Sequence, residues 1–407
     1  MDWIIFGDDW GRHPSTTQHL VSHFRENDRI LWIDSIGMRS PKLSVTDGAR
    51  AVRKLKSMLS GRITPGDLGE NVLTMERHGK RAPDRVMMPA ILPWHVRCAG
   101  VNAHILARAI KTTSAALGLE DVTILSATPL AALYLDAIPH ERVVYLRLDD
   151  YARLPGVDAE LVNKIEPRLI ERADLVVATA KKLLPEPWRY PSTKTLYLPQ
   201  GVDFEHFAMR MHRPVPGRPV LGFFGLFAEW IDADLIREVA LAKPDWTLEF
   251  LGPRRDVPAS LEKIENIVFR DAVDYAALPQ AIEHWSAAWI PFEVSELTAA
   301  VNPLKLREYL SAGLPTACVE MPEVDFARFS IERITGAADV VSWLEKLAKH
   351  PETTAVRLQR ARSMRTESWA ARAERLRTAT ARIAMRGHHV RQEIHTDFSR
   401  RLSVRAR

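Results

Sequence analysis

The run NPLKLREYLSAGLPTACVE at 302–320 carries residue types at a spacing suited to chemistry. Asn302 suits an N-cap and Pro303 a first helical turn, so a helix is expected to open here, just after the strand-like AAWIPF and the polar loop SELTAA. A helix start at the carboxyl end of a strand attracts anions, because unpaired backbone N–H groups and the helix dipole both favour negative charge. Lys305 adds a full positive charge in the first turn, suited to a diphosphate. Glu308 lies three residues on and shares its face, where a carboxylate can accept hydrogen bonds from two vicinal ribose hydroxyls. The plainer alternative is a solvated Lys–Glu pair worth on the order of a few tenths of a kcal/mol.

The elements around this run alternate throughout the chain. Short β-branched runs stand at 3–7, 29–34, 71–75, 122–127, 142–148, 174–180 and 194–199, with helical periodicity between many of them, notably at 15–26, 99–117 and 157–172. A second series follows at 219–225, 246–252, 266–269, 287–292 and 314–320. Such alternation predicts an α/β chain of two tandem, doubly wound, Rossmann-like domains facing a cleft, with helices at the C-terminal end. The boundaries read as 1–203 for the first domain, 204–218 for a Pro/Gly/Arg-rich linker and 219–366 for the second domain. A helix at 367–385 is expected to pack back on the first domain, followed by a basic tail at 386–407.

With 407 residues, 46% of them hydrophobic and 26% charged, the chain has the composition of a globular protein of two or three domains. Cys98 and Cys318 stand alone, which suggests neither a disulfide framework nor a zinc site. The first apolar run is too short for a signal peptide, and no stretch approaches a spanning length, so a cytoplasmic protein with at most peripheral membrane contact is expected. A net charge of +5 favours anionic partners without choosing among them.

Further carboxylates follow the strands of the first domain. Asp149 and Asp150 stand where RVVYLRL ends; adjacent residues of an extended chain point different ways, so one can face a cleft while the other caps the next turn. Both could equally be ordinary loop and capping residues. DDWGRHPSTTQ follows the first strand, and its Ser15-x-x-Gln18 has capping-box form. RAVRKLKSML at 50–59 reads as a basic amphipathic helix, and RVMMPAILPWHVR at 85–97 as an apolar stretch with an interfacial Trp94. Both could touch an anionic membrane or pack on the domain's own core.

PVLGFFGLFAEWIDADLI, WTLEFLGPRR, the 302–320 run and ESWAARAERL together resemble the nucleotide-sugar-binding half of glycosyltransferases of the GT-B fold. DDWGRHPSTTQHL, ILWIDSIGMRSPKL, YLRLDDYARLPGV and YLPQGVDFEHF extend the resemblance over most of 1–385, to bacterial exopolysaccharide, teichuronic-acid-type and xanthan-type glucuronosyltransferases. That resemblance implies transfer of a sugar from a nucleotide diphosphate, with UDP favoured, to a lipid-linked oligosaccharide or polysaccharide acceptor. Gly222 and Gly225 would let backbone approach the donor phosphates, Asn302 would open the donor helix, Lys305 would neutralise the diphosphate and Glu308 would hold the ribose. Leaving-group stabilisation by Lys305 implies no metal and no cofactor beyond the donor. Inverting transfer, the favoured outcome, needs a base: Asp149, slightly ahead of Asp150, with Asp8 and Asp9 as alternatives. Arg12 and His13 would meet the acceptor, although His13 could instead touch the donor sugar, as in some retaining relatives. Other readings are a nucleotide-sugar epimerase on the same scaffold and a non-catalytic sugar-nucleotide-binding subunit. Nucleic-acid binding is not expected, since no recognition signature accompanies the basic tail.

Overall fold

Thirteen strands form among the residues that the computed structural model describes, namely 1–11, 14–34, 83–87, 96–208 and 217–384. They build two all-parallel sheets, ordered β3-β2-β1-β4-β5-β6-β7, ending in β7 (Thr195–Tyr197), and β10-β9-β8-β11-β12-β13, in which β12 is Thr316–Val319. Strands covered on both faces are expected to be continuously apolar. β1 (Asp2–Gly7, DWIIFG) is buried along its whole length, as is β8 (Val220–Phe224, VLGFF). The chain divides into two compact units, the first holding Met1–Ala178, Leu184–Leu198 and the described residues from Arg372 on, the second Thr179–Leu183 and Pro199–Ala371.

In the first unit β1 neighbours β2 (Arg29–Asp34) on one side and β4 (Thr123–Ser126) on the other, and β5 (Arg142–Arg147) and β6 (Leu175–Ala178) follow. The strand order reverses between β1 and β4, and a sheet of this kind takes its ligands beyond the carboxyl ends of its strands at that point. The helix at 369–384 brings Arg377 onto Asp28 through two bonds of 2.8 and 3.1 Å, and the N-terminal ammonium shares that carboxylate at 2.9 Å. In the second unit the order reverses between β8 and β11 (Ala287–Ile290), with β9 (Thr247–Leu251) and β10 (Ile267–Arg270) beyond β8. Its core is aromatic: Phe223, Trp285, Trp289 and Tyr309 are fully buried.

Several expectations need correction. Asp84–Met87 pairs with β2 as strand β3, so the apolar stretch read at 85–97 begins inside the sheet, and residues 88–95 lie outside the described residues. The segments at 50–59 and 71–75 and the basic tail also lie outside them. The segment read as linker is structured at its start: Phe204–Ala208 is helical, and Phe207 is buried in the second unit 6.3 Å from the ring of Phe224. The short strand β13 (Glu332–Ile334) was not expected, because three residues with only one fully buried carry too little periodicity.

Candidate active site

The helix Leu304–Ser311 begins beyond β11, at the reversal point of the second sheet. Its placement comes from Tyr309, whose hydroxyl accepts a hydrogen bond from the Phe224 backbone N–H at 3.0 Å, tying the helix to the end of β8. Leu306 and Leu310 of the same helix are buried in that unit's core. The cap differs from expectation. Pro303 occupies it with extended backbone, and Asn302 lies one residue earlier, 3% exposed. The Asn302 carbonyl oxygen accepts from Arg307 at 2.7 Å and its amide donates to Glu323 at 3.2 Å. Asn302 therefore braces the loop rather than capping the helix or facing a donor.

Lys305 and Glu308 do share one face. Lys305 runs under the turn after β8: a Cβ placed on Gly225 would lie 2.2 Å from its Cε and 2.8 Å from its Nζ. Gly225 holds φ +125, a conformation that L side chains rarely adopt, so the close approach needs glycine twice over. Its neighbour Gly252, at the end of β9 with φ +144, packs so closely that a Cβ there would meet the Gly225 carbonyl oxygen at 2.4 Å. Two glycine turns and an ammonium thus meet beside a helix start, a surface of backbone and positive charge suited to phosphate oxygens. The Lys305 ammonium also lies 5.6 Å above the Phe223 ring.

Glu308 is only 4% exposed, and its carboxylate accepts no hydrogen bond among the described residues. Burial pushes its pKa up to about 7, with Lys305 opposing and Asp203 adding to the rise. Burial lowers the pKa of Lys305, and Glu308 opposes that shift. A carboxylate can accept several hydrogen bonds, and a diol would supply two donors to it. Tyr275 is also close to Glu308 and Asp203, stacked on His206 at 4.6 Å while His206 Nε2 meets the Tyr275 carbonyl oxygen at 2.8 Å.

Gly222 plays a different part from the one expected. It lies inside β8, and a Cβ there would stand 2.0 Å from the indole of Trp285, which is itself held by Glu249 at 2.9 Å. Its small size serves packing beneath the sheet and not a phosphate. Gly252, Asp203 and Tyr275 escaped sequence reading. Only Gly252 left a signal there, a glycine one residue past a strand end in WTLEFLG, as Gly225 is in PVLGFFG.

In the first unit Asp149 and Asp150 follow β5, one strand away from the reversal point. Asp150 precedes the single turn Tyr151–Arg153 and pairs with Arg153 at 3.1 Å. Asp149 is half-buried, and burial, with the Asp150 charge second, raises its pKa to about 6. That value suits a proton acceptor near neutrality. Asp8 is occupied by Ser15 at 2.9 Å and Gln18 at 3.2 Å. The capping box is half formed: Ser15 accepts from the Gln18 N–H, but the Gln18 side chain turns to Asp8 and to the Gly11 N–H instead of returning to Ser15. Arg12 and His13 lie outside the described residues. No group of three or more His, Cys, Asp or Glu able to hold a metal ion occurs among the described residues, and none of their helices is long and apolar enough to cross a membrane.

No protein-family model matches the chain. Over 227 residues it is 28% identical to TuaH, a Bacillus subtilis protein named as a teichuronic acid biosynthesis glycosyltransferase; the match takes in 52% of this chain and 57% of that one. The chain thus spans a little over half the length of this curated relative. Among solved structures, Anabaena HepE in complex with UDP-glucose aligns with a TM-score of 0.61 at 14% identity, over 94% of this chain and 99% of that one. A sucrose-phosphate synthase from Thermosynechococcus elongatus aligns with a TM-score of 0.61 at 12% identity, with the same coverage. At such identities the likeness is one of fold, the two-domain GT-B architecture.

Proposed function

We propose that this chain is a glycosyltransferase that moves a sugar from a UDP-linked donor to a lipid-linked or polysaccharide acceptor during assembly of a cell-surface polysaccharide. The observation that carries the reading is Glu308, a buried residue whose carboxylate accepts no hydrogen bond among the described residues, one helical turn from an ammonium seated under a glycine turn. The name of the TuaH relative and the UDP-glucose bound by HepE support the reaction class and the uridine donor.

In this reading the second unit supplies the donor chemistry. Glu308 accepts from the ribose hydroxyls, while Lys305, the glycine turns and the start of the Leu304–Ser311 helix face the diphosphate. The first unit supplies the proton acceptor, Asp149. The acceptor hydroxyl oxygen bonds to the anomeric carbon with inversion, its proton passes to Asp149, and the bond from that carbon to the diphosphate breaks. The leaving electron pair rests on a phosphate oxygen stabilised by Lys305 and the helix dipole, a charge that a divalent ion would otherwise balance. Turnover therefore does not depend on added metal and persists in a chelator. The transferred group is a hexosyl or uronosyl unit, and the acceptor brings the protein to the cytoplasmic face of a membrane as a peripheral protein.

Calorimetric titration with UDP, GDP, ADP and CMP in the absence of divalent ions tests the donor assignment. UDP alone is expected to bind, and Glu308→Ala to abolish the heat. A folded protein that binds none of the four would refute the reading.

A further inference from the structure

Asp149 stands midway between two anchored neighbours, Arg147 two residues before it and Tyr151 two residues after it. The Arg147 guanidinium makes a two-pronged bond to Glu166, Nε at 3.0 Å and Nη2 at 2.8 Å, and Tyr145 donates to the same carboxylate at 2.5 Å. Glu166 is buried on the helix Ala159–Arg172, so the last residue of β5 is tied to the layer beside the sheet. On the other side, the Tyr151 hydroxyl donates to the carbonyl of Ala127 at 2.7 Å. Ala127 directly follows β4, and its own N–H is held by the Phe6 carbonyl at 2.9 Å, so the anchor reaches β1. Asp150, the remaining group that could take the same position, is engaged by Arg153.

We propose that Tyr151 and Glu166 are positioning residues that clamp the turn after β5 and so hold the Asp149 carboxylate in place as the proton acceptor. This rests on the reading of Asp149 given above. The fold needs the ring of Tyr151 for packing, but phenylalanine would fill that space; the hydroxyl adds the tie to Ala127 and a hydrogen bond to the Leu148 backbone, within electrostatic reach of Asp149. Likewise Glu166→Gln keeps the shape of the side chain while removing the charge that secures Arg147. Both arms act on the backbone around Asp149 and neither has to touch a substrate.

The test follows the Asp149 carboxyl itself by carbon-13 NMR of the full-length protein labelled at its aspartates, its signal identified by its loss in Asp149→Asn. In the wild type it should titrate at about 6. A loosened turn lets water reach the carboxylate, so Tyr151→Phe and Glu166→Gln should each move the midpoint down by about one unit, toward the ordinary value near 3.9. Hydrolysis of UDP-glucose, with water as the acceptor, should show kcat lowered about tenfold at unchanged KM, its acidic limb displaced with the titration. Unchanged or raised midpoints in both variants would overturn the clamp, even if Asp149→Asn abolishes hydrolysis. Hydrolysis that survives Asp149→Asn would remove the base assignment instead, leaving the titration to decide the positioning. If Tyr151→Phe does not fold, Glu166→Gln decides alone.

Discussion

Two glycines three residues apart should respond to alanine in opposite ways. In Gly225→Ala the new methyl would sit 2.2 Å from Lys305 Cε and 2.8 Å from Nζ, against the roughly 3.5–4.0 Å of an ordinary contact. The end of a lysine side chain is flexible, so it yields by more than about 1 Å and carries its charge away from the turn. Losing one charge-assisted contact costs about 1.5–3 kcal/mol, or roughly a 10- to 150-fold rise in the Kd for UDP-glucose. Holding φ +125 with an L residue adds about 1–3 kcal/mol of strain in the fold. In Gly222→Ala the methyl meets three atoms of Trp285 at 2.0, 2.2 and 2.3 Å, and that indole is fully buried and cannot move aside. The cost is overpacking of about 1–3 kcal/mol or more, which lowers the unfolding midpoint by about 2–4 °C per kcal/mol for a unit of this size. The folded fraction should bind with wild-type affinity. Titration calorimetry with UDP-glucose and thermal unfolding of both variants separate the cases. A Gly225→Ala protein with wild-type Kd, or a folded Gly222→Ala protein that binds as weakly as Gly225→Ala, would refute this division of roles.

Ionisation offers three further checks. Glu308, with its pKa raised to about 7, is protonated in the fold at pH values where the unfolded chain is ionised, so its burial disfavours the folded state increasingly as pH rises from about 4.5 through 7. The same titration should make UDP-glucose bind more tightly at pH 8 than at pH 6, a slope that Glu308→Gln should abolish; an unchanged slope would exclude Glu308 as the ribose ligand. Turnover should fall as pH drops below about 6, where Asp149 takes up a proton; a pH–rate profile flat down to pH 5 would exclude it as the base. Burial alone would raise the pKa of Asp28, but hydrogen bonds and charge from Arg377 and the N-terminal ammonium outweigh it and leave it below the usual carboxylate range. Its contribution is therefore complete above about pH 4 and lost as pH falls through the folded-state value. Arg377→Ala should cost about 3 kcal/mol at pH 7 in denaturant unfolding, and the difference from wild type should shrink on acidification.

Much of the architecture was legible because parallel strands buried on both faces are written as continuous apolar runs, which few other elements produce. WIIFG, RILWID and VLGFF announce themselves in this way, while Glu332–Ile334 does not. The helix carrying Lys305 and Glu308 was legible too, since an i,i+3 spacing puts two side chains on one face whatever surrounds the helix.

What the residues lying near one another in the chain determine is thus the succession of strands and helices and the shared face of Lys305 and Glu308. Which groups meet across that succession was decided only by the tertiary structure. Gly222 and Gly225 look alike in PVLGFFG, yet one lies inside β8 against Trp285 and the other in the turn beyond it over Lys305, and only the folded sheet brings those distant side chains to them. Asn302 has the chemistry of a helix cap, but Arg307 and Glu323 reach its amide. Asp149 and Asp150 are adjacent and chemically identical; Arg153 engages one, while burial and the anchors at Arg147 and Tyr151 surround the other. Local sequence sets periodicity, because sterics and hydrogen bonding along the backbone act over a few residues. Burial and packing depend on partners brought from far along the chain, and those set Gly222 against Trp285, Gly225 over Lys305 and the half-buried Asp149 beside two anchored neighbours.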